Sequence, residues 1–257
     1  MTGFRDLGKG KAQGGLLVQV LDDAPCVLMA KAAGLDFLLL DGEHGNLDAG
    51  SLGSLLLLAD ACGLPTVVRV PELSRDWVSH TLDLGATGVM VPMVETAEQA
   101  RLLVGWSKYP PLGRRSYSGG GHTRFGPSGG HGPTMGAAND GTLAVVQIET
   151  VAGVENVDEI LSTPGVGAAV VGPCDLAISL GRPDEVGCAE ELALIDRVRD
   201  ACRRHGRAFG IIGSNELLGT YAGDLDLMVS AIDAHLLRDA FAGARADYDR
   251  LLGGGAR

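Results

Sequence analysis

The stretch that decides the fold is Leu38-Leu39-Leu40-Asp41-Gly42-Glu43-His44-Gly45-Asn46. Its apolar beginning has the composition of a buried β-strand, and two acids and a histidine follow that strand directly. A buried strand that ends in ionisable groups places those groups at the rim of a sheet. In a βα-barrel, charged residues at the carboxyl ends of strands are typically catalytic, so the stretch predicts a functional site as well as a strand.

The same arrangement recurs at three other places in the chain. The apolar runs 66–68, 143–148 and 168–171 lead to Arg69, to Glu149 and, through a Gly-Pro-Cys turn, to Asp175. Because parallel strands end at the same edge of a sheet, these side chains are expected to converge on one rim.

Eight short apolar runs, mostly rich in β-branched residues, predict strands that are covered on both faces. The runs are 16–20, 37–41, 66–70, 88–93, 143–149, 168–172, 208–212 and 226–231. Helices are predicted over 49–62, 75–84, 97–107, 151–161, 176–180, 189–205, 214–222 and 233–252. Strands that alternate with helices imply a parallel sheet, and eight repeats imply an α/β fold closed into a single (β/α)8 TIM barrel over 1–257. The alternative is an open doubly wound sheet, which lacks support because no G-x-G-x-x-G turn follows the first strand.

Two segments do not fit the alternation of strands and helices. Segment 114–141 is rich in glycine, serine and proline. We expect either a loop over the barrel mouth, where His122, Arg124 and His131 touch substrate, or a mobile surface loop. The amphipathic helix 233–252 is surplus to a closed barrel and packs on its own barrel or on a neighbouring subunit.

Composition narrows the function classes. The net charge is −11, which disfavours a nucleic-acid partner and an anionic membrane surface. No run of about 18 apolar residues predicts a membrane span. The five cysteines show no C-x-x-C spacing, which disfavours a disulfide framework or a thiolate zinc site and favours a reducing cytoplasm.

Glu149 and Asp175 follow adjacent predicted strands, and two hard carboxylates on one rim suit Mg²⁺ or Mn²⁺. The alternative is that each carboxylate caps a helix or pairs with an arginine. Gly172 permits close approach of the backbone, and the amides of Cys174 and Asp175 begin a helix that suits an anion. The alternative there is a tight turn without a ligand.

His44 is the natural general base, because its ordinary pKa lies near neutrality. Asp41 or an acid from another segment is expected to orient its ring. Arg69 polarises a carbonyl or holds an enolate, or else forms a salt bridge with Asp41 or Glu43. Cys174 is not read as a nucleophile, since nothing in the sequence indicates a Cys–His pair.

Together these residues resemble the HpcH/HpaI aldolase family, the metal-dependent class II pyruvate aldolases, over residues 16–240. The motifs that carry the resemblance are LLLDGEHGNLD (38–48), VVRVP (67–71), LDLGATGVMVPMVETAEQAR (82–101), KYPPLGRR (108–115), VVQIET (145–150), VENVDEIL (154–161) and VGPCDLAISLG (171–181).

The resemblance implies a (β/α)8 barrel assembled as a hexamer, a trimer of dimers that exchange their C-terminal helices. It implies a divalent cation (Mg²⁺, Mn²⁺ or Co²⁺) and reversible aldol cleavage of 4-hydroxy-2-oxoacids to pyruvate, or a close 2-oxoacid, and an aldehyde. By resemblance, Glu149 and Asp175 bind the metal, and Gln147 lies beside the oxoacid. Arg69 stabilises the enolate oxygen, His44 is the acid/base residue, and Asp83 reaches the histidine of a neighbouring subunit. The backbone of Gly172, Pro173 and Cys174 binds the pyruvyl carboxylate.

The chain departs from the family pattern at two places. Cys174 replaces an alanine, and Ser116 replaces a glycine ahead of a segment that is glycine-rich instead of arginine- and alanine-rich. The second departure leaves the acceptor aldehyde open. It also motivates an alternative, an oxaloacetate-type decarboxylase or a biosynthetic enzyme that uses the same enolate. A further alternative is a non-catalytic barrel that binds a 2-oxoacid, against which the intact set of His44, Arg69, Glu149 and Asp175 speaks.

Overall fold

The computed structural model describes Phe4, Leu7 and residues 11–127 and 129–253; the rest of the predicted domain 1–257 lies outside these ranges. Eight parallel strands close into a barrel in chain order. The strands are β1 (Gln13–Val18), β2 (Phe37–Asp41), β3 (Thr66–Arg69), β4 (Gly88–Val91), β5 (Leu143–Ile148), β6 (Ala168–Val171), β7 (Ala208–Ile212) and β8 (Leu227–Ile232). The predicted (β/α)8 TIM barrel is therefore confirmed.

The helices surround the barrel in the order that alternation with strands requires. They are α1 (Ala24–Ala32), α2 (Ala49–Cys62), α3 (Arg75–Leu84), α4 (Ala97–Ser107), α5 (His131–Gly141), α6 (Val151–Glu155), α7 (Val157–Leu161), α8 (Pro173–Ser179), α9 (Ala189–His205), α10 (Asn215–Thr220) and α11 (Asp233–Leu251), with a short 3₁₀ turn at Gly121–Thr123. No helix among the described residues is both long and apolar enough to cross a membrane.

The core has two layers, and β2 shows why the strand sequences are continuously apolar. Phe37 and Leu39 face the barrel interior, where they pack with Val67 and Val145. Leu38 and Leu40 face outward into the shell of helices. Because both faces of each strand are buried, alternation of polar and apolar residues is lost.

Local signals explain the helix boundaries that were predicted correctly. The Asp48 side chain accepts from the N–H groups of Gly50 and Ser51, 2.9 and 2.8 Å away, and so caps α2. Gly63 ends that helix in the left-handed region with φ 67°, which a glycine adopts without strain. Thr96 and Gln99 form the predicted capping box of α4.

Two helix predictions need correction. No helix was predicted between the first two strands, but α1 lies there; Leu28 and Met29 are exposed on it, which hides the apolar periodicity. The single helix predicted over 151–161 is two short helices, because Asn156 departs from helical geometry with φ −96° and ψ 8°.

Of the two possibilities stated for 114–141, a loop over the mouth of its own barrel is wrong. The segment connects the end of α4 to the start of β5, so it lies at the amino-terminal end of the barrel, away from the mouth. Arg124 pairs with Asp60 near the end of α2, and the ring of His131 lies 4.7 Å from that of Tyr117. Residues 131–141 are helical, so the segment is also more regular than its composition suggested.

Candidate active site

The carboxyl ends of β2 and β3 bring an acidic and a basic side chain together. Asp41 and Arg69 are partners in the register of the two strands. Arg69 donates from Nε to Asp41 Oδ1 at 2.9 Å and from Nη2 to Asp41 Oδ2 at 2.7 Å. Asp41 is fully buried and Arg69 is 7% exposed, so this charge-assisted pair is shielded from solvent.

The protonation states of the pair follow from these contacts. Burial alone raises the pKa of Asp41, but hydrogen bonds from Arg69, Gln19 and the His44 main chain, with the Arg69 charge, hold it below its ordinary value. Burial alone lowers the pKa of Arg69, but the bonds and charge of Asp41 and the charges of Glu43 and Glu149 raise it overall. Arg69 is therefore a fixed cation at the barrel mouth.

The turn after β2 places Glu43 and His44 beside this pair. Glu43 Oε2 lies 3.3 Å from Arg69 Nε and 3.8 Å from His44 Nε2. The His44 side chain is 61% exposed, so its ring is open to solvent. Glycine at position 42 is required, because a Cβ there would lie 2.8 Å from the Arg69 carbonyl oxygen.

The acid near the His44 ring is Glu43, whereas Asp41 or an acid from another segment was expected to orient it. Asp41 Oδ1 accepts from the main-chain N–H groups of Glu43 and His44, at 3.1 and 3.2 Å. Asp41 thus holds the turn that carries His44. Sequence reasoning gave Glu43 no role beyond a salt bridge, although its place between Asp41 and His44 was a usable signal.

Glu149 follows β5 and lies buried at the same rim. Its Oε1 accepts from the Met93 main-chain N–H at 2.7 Å, and its Oε2 accepts from Gln147 Nε2. Burial raises the pKa of Glu149 to about 7; the Met93 bond opposes this shift, and the negative charges of Asp175 and Glu43 add to it. The charge of Arg69 also opposes the shift. A bound cation would stabilise the ionised form of this buried carboxylate.

The turn between β6 and α8 closes over the Glu149 carboxylate. A Cβ on Gly172 would lie 2.4 Å from Glu149 Oε2 and 2.9 Å from Gln147 Nε2, so a larger residue there would displace the ends of these two side chains. Pro173 is buried as the first residue of α8, and Asp175 is exposed two positions later. Burial raises the pKa of the Cys174 thiol, with Asp175 and Glu191 adding to the shift, so this thiol stays protonated.

These residues fit a divalent cation. Glu149 and Asp175 supply hard oxygen donors, and Gln147 Oε1 is a buried oxygen without a hydrogen-bond partner in the described structure. Among the described residues, no group of three or more histidine, cysteine, aspartate or glutamate side chains is arranged to hold a metal. A cation here would therefore rely on two protein carboxylates and oxygens from substrate or water.

Asp83 lies elsewhere in the chain. It is near the end of α3, at the amino-terminal end of the barrel, and accepts from Arg115 Nη2 at 2.6 Å. Its Oδ1 is 3.9 Å from His122 Nδ1, and both ring nitrogens of the buried His122 lack a hydrogen-bond partner in the described structure. Within one chain, Asp83 and His44 are thus at opposite ends of the barrel.

Met93 is a site residue that sequence reasoning missed. It adopts φ 54°, which is uncommon for a residue with a side chain, and this geometry accompanies the N–H bond to Glu149. No side-chain signal could have revealed a contribution made by the main chain.

The chain belongs to the HpcH/HpaI aldolase/citrate lyase family, whose sequence profile matches residues 18–228. The chain is 37% identical over 191 residues to the 2-dehydro-3,6-dideoxy-6-sulfogluconate aldolase of Pseudomonas putida, covering 74% of each chain. It is 35% identical over 221 residues to the hydroxypyruvate/pyruvate aldolase of Roseobacter denitrificans, covering 82% of each.

A solved structure agrees with these sequence matches. The HpcH/HpaI aldolase from Desulfitobacterium hafniense superposes with a TM-score of 0.92 at 29% identity, covering 98% of each chain.

Proposed function

We propose that the protein is a carbon–carbon lyase that reversibly cleaves 4-hydroxy-2-oxoacids to pyruvate, or a close 2-oxoacid, and an aldehyde. The observation that carries the proposal is the buried, two-point-anchored guanidinium of Arg69, which shares the barrel mouth with Glu149. Aldol cleavage leaves an enolate, and a fixed cation stabilises the negative charge that develops on its oxygen. The aldolase names of the relatives support the same reaction.

Different residues of the chain bind the oxoacid, stabilise its charge and transfer the proton. Arg69 binds the oxygen on C2 of the oxoacid as it gains charge. In condensation His44 accepts a proton from C3 and gives a proton to the oxygen on the former aldehyde carbon as the new carbon–carbon bond forms. In cleavage it takes the proton of the C4 hydroxyl as the C3–C4 bond breaks and delivers a proton to C3 of the enolate. The main chain at 172–174 binds the carboxylate of the oxoacid, and Gln147 lies beside it.

Glu149 and Asp175 would hold a divalent cation, Mg²⁺, Mn²⁺ or Co²⁺. When bound, the cation supplies Lewis-acid polarisation of the 2-oxo group. The raised pKa of Glu149 and the unpartnered Gln147 Oε1 support this assignment.

Proton NMR of pyruvate in D₂O tests the proposal. The metal-stripped protein is compared with protein given Mg²⁺, Mn²⁺ or Co²⁺, and we expect metal-dependent loss of the methyl signal. His44→Ala is expected to slow this exchange by about 10²–10⁴-fold, whereas the exposed His80→Ala is the matched control. Absence of exchange with every cation, together with no cleavage of a 4-hydroxy-2-oxoacid, would reject the proposal.

Proton NMR with other substrates separates the alternative functions. A decarboxylase would turn over oxaloacetate far faster than any aldol substrate. A non-catalytic barrel would bind pyruvate without proton exchange.

We also propose that the protein is a hexamer built as a trimer of dimers that exchange α11. This helix exposes Leu236, Phe241, Tyr248 and Leu251, an apolar set that a second copy would cover. The position of Asp83, far from His44 of its own chain, supports a role toward a neighbour. Light scattering checks the mass, and we expect Phe241→Lys to lower it; an unchanged mass would count against exchange through this face.

The free state of all five cysteines supports a reducing compartment, which we propose to be the cytoplasm. Cell fractionation checks this location, and recovery outside the cytoplasm would reject it.

A further inference from the structure

Gln19 connects three parts of the barrel mouth. Its main-chain N–H donates to Asp233 Oδ1 at 2.9 Å, and its carbonyl oxygen accepts from the Asn46 N–H at 2.9 Å. Its side-chain Nε2 donates to Asp41 Oδ2, also at 2.9 Å. The residue directly after β1 is thus tied to the start of α11 and to both ends of the turn that carries His44.

Asp233 makes this attachment rigid. Its buried carboxylate accepts from the main-chain N–H groups of Gln19, Val20 and Leu21, at 2.9, 3.0 and 2.8 Å. It also accepts from the N–H of Ala234 at 2.7 Å. A buried carboxylate with four main-chain donors fixes the backbone on which the Gln19 side chain stands.

The Gln19 amide acts on the orientation of Asp41. Asp41 Oδ2 receives Gln19 Nε2 and Arg69 Nη2, while Oδ1 receives Arg69 Nε and two main-chain N–H groups of the following turn. Gln19 is the one donor of this set that comes from outside β2, β3 and their turn. It therefore restricts rotation of the carboxylate from a separate part of the barrel.

We propose that Gln19 is a positioning residue for Arg69 and His44, an inference that rests on the proposed aldolase function. Its side chain fixes the Asp41 carboxylate, which sets the direction of the Arg69 guanidinium. Its main chain holds Asn46 and so steadies the far side of the His44 turn. Gln19 acts through these groups.

The test compares the wild-type protein with Gln19→Leu, which removes the amide donor and leaves the main-chain bonds in place. We expect kcat for 2-oxoacid cleavage to fall about ten- to a hundredfold, because small misplacements of catalytic groups cost rates of that size. KM and the melting temperature are expected to stay near those of the wild type. Gln13→Leu, the same change at the opposite end of β1, is the matched control.

Gln19→Glu is the second variant, in case Gln19→Leu does not fold. It keeps the size of the side chain but replaces the donor by an acceptor beside Asp41, so it should lower kcat as well. Crystal structures of the wild type and the folded variant report, independently of activity, whether the Asp41 carboxylate and the Arg69 guanidinium have rotated.

The two readouts separate the possible failures. An active wild type with unchanged kcat in the Gln19 variant would overturn the positioning role. A wild type that is inactive with every oxoacid and cation would reject the proposed function; the crystal structures alone would then decide whether Gln19 orients Arg69, and an unrotated pair would overturn the inference.

Discussion

Asp41 and Arg69, register partners on adjacent strands, meet in a two-point ion pair at the mouth of the barrel, with N···O distances of 2.9 and 2.7 Å. The planar guanidinium matches the carboxylate at both oxygens, which sets its orientation as well as its distance. Because strand pairing fixes both backbones, the cation is in place before any substrate binds.

Arg69→Lys is expected to lower kcat by about 10²–10³-fold, the loss that follows removal of one oriented donor to a developing oxyanion. Lysine keeps the charge but cannot form the two-point contact. Steady-state cleavage of a 4-hydroxy-2-oxoacid measures the effect. Arg101→Lys, in an exposed pair with Glu98, is the control. Activity within a few-fold of the wild type would remove Arg69 from the mechanism.

The lowered pKa of Asp41 predicts a pH dependence of stability. An aspartate has a pKa of ~3.9 in the unfolded chain, and the pKa of Asp41 is lower in the folded protein. The unfolded chain therefore binds more protons at pH values between these two pKa values. The contribution of Asp41 is therefore fully present above ~3.9 and is lost as the pH falls through the folded pKa. The free energy of unfolding in urea, measured at several acidic pH values, should change less with pH for Asp41→Asn than for the wild type. An equal slope would contradict the prediction, and the exposed Asp22→Asn is the control.

Glu149→Gln is expected to weaken Mn²⁺ binding by at least about a hundredfold, more than is typical for loss of a residue that merely supports a metal ligand. The amide is nearly the same size but carries no charge. Titration calorimetry measures the affinity without reference to turnover. Glu155→Gln, at an exposed position on α6, is the control. Equal Mn²⁺ affinity in the Glu149 variant would show that the metal binds elsewhere.

Gly172→Ala tests how closely the β6–α8 turn covers Glu149. A methyl group 2.4 Å from Glu149 Oε2 has no room, so the carboxylate or the turn must shift. We expect weaker metal binding and slower cleavage from a protein that remains folded. Gly219→Ala on α10, where nothing lies within 4 Å of the new methyl, should leave both unchanged. Normal metal affinity in Gly172→Ala would mean that the turn is free to move.

The strands were predictable from the sequence because burial on both faces leaves a continuous apolar run. Residues 37–41 and 208–212 coincide with the predicted strands, and the charged residues Asp41, Arg69 and Glu149 stand at or directly after the ends of their strands. Helix α1 escaped prediction for the opposite reason: its exposed Leu28 and Met29 blur the contrast between faces.

The position of segment 114–141 was predictable from chain direction, but composition was given more weight. A connection that follows a helix returns to the amino-terminal end of the barrel, whatever its glycine content. The contacts of Gln19 and Met93 were beyond sequence reasoning, because they depend on main-chain atoms and on residues far apart in the chain.

The hydrogen bond from Met93 to Glu149 does not depend on which side chain stands at position 93. Since the donor is a main-chain N–H, changing the side chain at 93 leaves it in place, and only proline would remove it. The Met93 side chain is itself 48% exposed. Position 93 is therefore a place where the surface near the mouth can be redesigned without altering the hold on Glu149, with glycine and asparagine best suited to its positive φ.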